Sequence, residues 1–306
     1  MARRGYPRDG GLAARMLLVM FLLGLVYVLF VGALAAMGLS LVIVLVIAGG
    51  FLLVQYWFSD RIALFSIGGR EVSAAEAPVL HGIVDRLCVL ADLPKPRVAI
   101  ADSDIPNAFA TGRNQSSAVV CVTTGIMRRL DEPELEAVLS HELSHVAHRD
   151  VTVMTIAGFL GIAAGLLTRF ALYAGWFGGF GGRRSDNDRG GVPIVLAVML
   201  ISALVYALSF VLTRALSRYR ELAADRAGAI LTGAPSKLAS ARVKISGDMA
   251  AIPTRDLRAA EPLNAFFFAP AVAPGFSLSS LFSTHPPLER RLDQLAQLES
   301  GLGRQS

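Results

Sequence analysis

Three of the five histidines in this 306-residue chain, His141, His145 and His148, fall within eight residues, and Glu142 follows directly on the first. His141 and His145 are four apart, so on a helix they lie one turn apart on one face, where both imidazoles can reach a single ion. Glu142 beside them is placed to take a proton from a water activated by that ion. His148 shares the face, because at 100° per residue the three rings fall at roughly 0°, 40° and 340°. Axial reach excludes it as a ligand: about 10.5 Å separates it from His141 along a straight helix, whereas zinc takes its nitrogens at roughly 2.0 to 2.1 Å. A third ligand must come from elsewhere. The segment Ser-Arg-Tyr-Arg-Glu-Leu-Ala-Ala-Asp-Arg-Ala-Gly-Ala, residues 217 to 229, offers Glu221 and Asp225, again one turn apart. A glutamate ligand leaves a fourth position for water, and an aspartate one turn on can orient a histidine ligand by hydrogen bonding its far nitrogen. Taken alone such a pair also fits a solvated helix face; its weight comes from the combination with the earlier helix.

These residues need elements to position them. Asp131 with Glu134 three residues on reads as a helix N-terminus, and Pro133 is tolerated in the first turn. Leu135, Val138, Leu139 and Val146 give that helix an apolar face, and the histidines lie in its second half. Upstream, Ser73 with Glu76 reads as a capping box opening a helix to about Asp92, ended by Leu93-Pro94-Lys95-Pro96. Arg97 to Ala101 reads as a strand, as do Asn107 to Gly112 and Ala118 to Thr123, with a turn at Asn114 to Ser117 between the last two. Downstream, helices are expected from Arg214 to about Leu231 and, amphipathic, from Pro287 to Leu298. Cys88 and Cys121 make no disulfide framework or paired metal motif and read as buried structural thiols.

The rest of the chain is oily. With 54% hydrophobic and 17% charged residues the composition is wrong for a purely soluble protein. Between Arg15 and Asp60 lie 44 residues without a charge, about 66 Å of helix and enough for two crossings of a core about 30 Å thick. A helical hairpin is expected, Met16 to about Ala36 and Leu39 to Trp57, turning near Gly38 and Ser40. A cleaved signal peptide ending at Ala33-Leu34-Ala35 is disfavoured, because another apolar run follows it. A third apolar segment runs from Val151 to Gly175, interrupted by Arg169, and a fourth from Gly190 to Thr213. Arg3, Arg4, Arg8 and Arg15 place the amino terminus in the cytoplasm, although the arginines at 183, 184 and 189 sit awkwardly in an outside loop. The third and fourth segments therefore either span or lie shallow and tilted. The division is 1–60 tail and hairpin, 61–150 with the histidine helix, 151–213 second membrane pair, and 214–306 with the third ligand. The basic excess is scattered in short arginine clusters without interleaved aromatics, which fits membrane flanks and disfavours nucleic acid.

The string Asn-Ala-Phe-Ala-Thr-Gly, the helix Glu-Leu-Glu-Ala-Val-Leu-Ser-His-Glu-Leu-Ser-His-Val, the 217–229 segment and the late Ser-Thr-His-Pro-Pro together resemble the HtpX membrane zinc metalloproteases, relatives of the CAAX prenyl proteases. The resemblance covers nearly the whole chain. It implies an α+β, mainly α-helical, gluzincin-like integral membrane zincin with about four transmembrane or membrane-embedded helices. It also implies one zinc ion per chain on His141, His145 and Glu221, with Glu142 as catalytic base and Asp225 behind the ligands. The alanines at 223 and 224 and His148 depart from the pattern where no ligand is expected. The resemblance further implies a multi-pass protein of the bacterial inner membrane, its site facing the cytoplasm, that clears misfolded or damaged membrane proteins.

On this reading the segment Asn107, Ala108, Phe109, Ala110 could pair with an extended substrate as an added strand and so accept many sequences. His285 could stabilise the oxyanion, although before Pro286 and Pro287 it equally fits a plain turn. Two rivals are a prenyl-protein protease, for which the chain has too few membrane helices, and a silent scaffold or chaperone whose metal only joins two cytosolic parts. Glu142 discriminates against the scaffold, since a structural site does not need it.

Overall fold

The computed structural model describes residues 5–7, 9–36, 41–157, 191–251 and 286–302. Its elements are helices α1 (Gly10–Ala36) and α2 (Leu41–Ser66), strand β1 (Gly69–Glu71), α3 (Pro78–Ala91), β2 (Arg97–Ala101), β3 (Ala108–Thr111), β4 (Val119–Thr123), α4 (Thr124–Arg129), α5 (Glu132–His148), α6 (Gly191–Thr232), α7 (Pro235–Ala251) and α8 (Leu288–Leu302). They fall into two units, one of residues 14–57 with 153–216 and one of residues 1–13, 58–152 and 217–306.

In the first unit the described helices are apolar. Leu17, Phe21, Val28 and Leu29 of α1, and Leu200, Leu204 and Val211 of α6, are exposed, which hydrocarbon surroundings would favour and water would not. Among the described residues two helices are long and apolar enough to cross a membrane, Gly10–Ala36 and Leu196–Thr232. The expected turn at Gly38 and Ser40 and most of the third apolar segment, with Arg169 and the arginine loop, lie outside the described residues. Three boundaries differ from the sequence reading, one being the end of α2, which runs on to Ser66 rather than stopping at Trp57. Helix α1 begins six residues before Met16, because Asp9 caps it by accepting from the Leu12 N–H at 2.8 Å. The fourth apolar segment and the helix after it are one element of 42 residues. No glycine or proline stands between Thr213 and Arg220, so nothing in the backbone stops the helix where the polarity changes.

The second unit carries a four-stranded sheet in the order β1-β2-β4-β3. β2 and β4 are parallel, and β3 returns antiparallel to β4 with Ala108 opposite Val122 and Thr111 opposite Val119. The turn between them forms where Asn114 accepts from the Ser117 N–H at 2.8 Å. Gly112, at φ +140, is required there because a Cβ would stand 2.7 Å from the Ala118 Cα. Both faces of β4 are covered. Val120 and Val122 pack with Leu87 of α3, Val138, Leu139 and Leu143 of α5, and Leu238 of α7. Val119 and Cys121 face Ala63 and Leu64 from the last turns of α2. Both cysteines are buried and free, and burial pushes their thiols up to about 11 for Cys88 and about 12 for Cys121.

Helix α5 starts as its sequence indicates. The Asp131 carboxylate accepts from Glu134 N–H at 2.8 Å, and the Glu134 carboxylate accepts from Asp131 N–H at 3.0 Å. Glu134 also accepts from Ser240 Oγ at 2.6 Å and Lys244 Nζ at 2.7 Å, which ties this cap to α7. The Ser73–Glu76 box also forms, but it closes only a turn, and regular helix begins at Pro78. Proline lacks an N–H and has a preset φ, both of which favour the first helical position.

Candidate metal centre

Helix α5 buries His141, Glu142 and His145, exposed by 1%, 5% and 2%. Helix α6 delivers Glu221 to the same place, and ligand-type atoms of His141, His145 and Glu221 all lie within 4.8 Å of one another. His141 Nε2 is 3.7 Å from one Glu221 oxygen and His145 Nε2 is 3.5 Å from the other. The two rings stand edge to face, with centroids 4.9 Å apart. Glycine makes this approach of α5 and α6 possible. A Cβ on Gly228 would stand 2.9 Å from the His141 nitrogen and 3.1 Å from its Cα, and the Gly228 carbonyl accepts from Ser140 Oγ at 3.2 Å. Gly228 is seven residues after Glu221, two turns along the same face, so it sets the height at which that carboxylate meets the histidines.

The far nitrogens of both rings are also held. Asp225 Oδ1 lies 3.0 Å from His141 Nδ1, and Asp150 Oδ2 lies 2.9 Å from His145 Nδ1. A proton on each Nδ1 satisfies these carboxylates and leaves each Nε2 lone pair for an ion. Two buried arginines then hold Asp225: Arg242 donates through Nε at 3.1 Å, and Arg291 donates through Nε at 2.6 Å and Nη2 at 2.9 Å. Arg291 also pairs with Glu221 at 3.1 Å. Unpaired buried carboxylates would be costly, and these cations offset that cost.

Burial pulls the His141 imidazole down to about 3 in the metal-free site, against the pull of Asp225. For His145, burial and Arg220 act downward, but Asp150 and Glu221 outweigh them and raise it to about 9. Burial raises the Glu142 carboxyl to about 7. An incoming dication would take the place of any proton held on His145 Nε2.

Glu142 is joined to the sheet. Its Oε2 accepts from Ala110 N–H on β3 at 3.2 Å. Strand β3 is the last strand of the sheet. The Asn107 carbonyl accepts from Thr123 N–H, so by antiparallel alternation the backbone groups of Ala108 and Ala110 point away from β4, toward the side on which Glu142 stands.

The remaining histidines are elsewhere. His148 lies outside the cluster: its Nε2 is 3.2 Å from the Pro7 carbonyl, and its ring tilts against Tyr6, whose hydroxyl donates to the Ser140 carbonyl at 2.6 Å. His81 places Nε2 3.0 Å from the Val72 carbonyl and is buried in α3. His285 lies outside the described residues. The sequence reading passed over Asp150, Gly228, Arg242 and Arg291. A signal for the arginines was present, because Arg242 lies on the face of Leu238, Ala241 and Ile245, and Arg291 on that of Leu295 and Leu298. A charge inside an apolar helical stripe asks for a buried partner.

The model of peptidase family M48 matches residues 74–299. The chain belongs to peptidase family M48. Among M48 relatives, Protease HtpX homolog 1 of Streptomyces coelicolor is 58% identical over 97% of this chain and 96% of its own length. Protease HtpX homolog of Moorella thermoacetica is 55% identical over 97% of each. Protease HtpX homolog of Pyrococcus furiosus is 43% identical over 81% of this chain and 83% of its own length. The crystal structure of S. mikatae Ste24p shares the fold, with a TM-score of 0.52 and 19% identity over 94% of this chain and 67% of that one. This M48 peptidase is therefore a membrane-bound metalloprotease of a zinc-dependent family, mainly helical, with a Ste24p-like fold.

Proposed function

We propose that the chain is a zinc endopeptidase that hydrolyses misfolded or damaged membrane proteins, with one ion on His141, His145 and Glu221 and Glu142 as general base. The observation that carries the reading is the cluster of two imidazoles and one carboxylate with a second carboxylate beside it. The donor set fits zinc, since two histidines and a glutamate leave a coordination position open for chemistry. The aspartates behind both rings fit it as well. A bound zinc ion would supply Lewis acidity to the scissile carbonyl and acidify the attacking water.

The chain's own groups do the rest. Burial pushes the Glu142 carboxyl up to about 7 without the ion, and a dication nearby would favour its carboxylate, the form that accepts a proton. The same carboxyl then returns that proton to the leaving nitrogen. The Ala110 N–H holds Glu142 next to the strand on which substrate would lie. An extended chain adding to β3 is recognised through its backbone, which suits clearance of many sequences. His285 is the candidate hydrogen-bond donor to the oxyanion, and before Pro286 and Pro287 it equally fits a plain turn. Arg3, Arg4, Arg8 and Arg15 put the amino terminus, and the site with it, on the cytoplasmic side of a multi-pass protein in the cell membrane.

Two experiments test this reading. In proteoliposomes, a membrane protein destabilised by a core mutation should be cleaved faster than its folded parent, and equal rates would contradict the substrate assignment. Ala108→Pro removes an outward N–H of the edge strand, and because Ala108 is buried in the core the variant's melting temperature is compared with wild type. It should raise KM for casein by about tenfold, the worth of roughly one hydrogen bond, with zinc retained. An unchanged KM would remove β3 from substrate binding.

A further inference from the structure

Helix α5 ends at Arg149, which has φ 56 and an N–H donating to the Val146 carbonyl. The chain is helical again over residues 150–157, so the interruption is a single left-handed residue. On an uninterrupted helix Asp150 would point about 140° away from His145, five residues earlier, and the two side chains could not meet. The turn at Arg149 swings the carboxylate back, and Asp150 Oδ2 reaches His145 Nδ1 at 2.9 Å. A left-handed conformation at a residue other than glycine is unfavourable, so the contact it permits is held against a local cost.

Asp150 is 1% exposed, and among the described residues its other oxygen, Oδ1, meets no hydrogen-bond donor. Besides His145, Arg220 faces it among the described residues, with Nε 3.5 Å from Oδ2, and His148 adds a weaker electrostatic pull. Arg220 immediately precedes Glu221, and Glu221 lies 3.5 Å from His145 Nε2. The contacts therefore close a ring, His145 to Asp150 to Arg220, along α6 to Glu221, and back to His145. We propose that Asp150, placed by the turn at Arg149 and faced by Arg220, is the positioning residue for His145, as Asp225 is for His141. It keeps the Nδ1 proton in place, fixes the ring plane and directs Nε2 at the ion. The inference rests on the zinc reading above.

The test uses the full-length protein in detergent, with Zn2+ affinity measured by competition against a chromophoric chelator and the site symmetry read from the absorption spectrum of the Co2+-loaded protein. Asp150→Ala should weaken Zn2+ binding by about 10- to 100-fold. Asp150→Asn still accepts from Nδ1–H but lacks the charge, so it should fall between. The Co2+ spectrum should change in Asp150→Ala as the His145 ring turns. Thermal melts of the metal-free proteins separate this effect from folding. Wild-type Zn2+ affinity in both variants overturns the inference, and so does an equal loss in both that follows only the fraction of folded metal-free protein. A wild type that binds no Zn2+ overturns the zinc reading itself, which distinguishes the two failures.

Discussion

Replacing Glu142 with glutamine is expected to slow peptide hydrolysis by about 10²- to 10⁴-fold, the usual worth of a positioned general base, while zinc stays bound. The exchange is close to isosteric. A glutamine oxygen still accepts from the Ala110 N–H that now meets Glu142 Oε2 at 3.2 Å, so the link to β3 persists. What is lost is the capacity to take up a proton and return it. Since Glu142 lies 4.0 Å from His141 Nε2 and is not one of the three clustered ligands, the metal content should not change. The loss should appear in kcat, with KM little altered, because on the proposed reading substrate would contact the edge strand and not the base. Casein hydrolysis and elemental analysis on the same sample check both halves. Undiminished hydrolysis would remove Glu142 from the mechanism.

Gly228→Ala is expected to be as damaging to the metal site as a ligand change, although the residue carries no side chain. The added methyl would stand 2.9 Å from His141 N, 3.1 Å from His141 Cα and 3.2 Å from the Ser140 carbonyl carbon. All three are backbone atoms of a buried helix and cannot swing aside, so α5 and α6 must separate. Overpacking of this kind costs about 1 to 3 kcal/mol. The separation also carries Glu221 away from the histidines, so zinc affinity should fall by an order of magnitude or more, given how sharply coordination depends on distance. Gly247→Ala is the matched control: it lies in α7, where a Cβ meets nothing within 4 Å. That change should stabilise the protein by up to about 1 kcal/mol through helix propensity. Opposite shifts in melting temperature are expected, with zinc affinity altered in Gly228→Ala alone.

Local features of the site were readable in the chain. Asp131, Pro133 and Glu134 announce the start of α5 through interactions within four residues, and the four-residue spacing of His141 and His145 follows from the helix itself. The hairpin of β3 and β4 was marked by Asn114 to Ser117 for the same reason. What joins distant segments was less accessible. Glu221 and Asp225 could be paired with α5 through a repeated one-turn spacing and a family resemblance, since no local rule says which helix a carboxylate will face. Asp150 was hidden because a regular helix would point it the wrong way, and nothing in the type of Arg149 signals a left-handed turn. Gly228 matters through a neighbour 87 positions earlier, which a glycine in an alanine-rich helix does not disclose. The unbroken run of α6 through Thr213 shows that a change of polarity alone does not end a helix when the backbone carries no stop signal.

On the proposed reading His141, His145 and Glu221 together hold one zinc ion. The most direct measurement is the zinc stoichiometry of detergent-purified wild type beside Glu221→Ala and His148→Ala, by elemental analysis after dialysis against metal-free buffer. The expected result is about one zinc per chain for wild type and for His148→Ala, and close to none for Glu221→Ala, which keeps only two of the three protein ligands of an open site. Full zinc content in Glu221→Ala, or its loss in His148→Ala, would contradict the assignment.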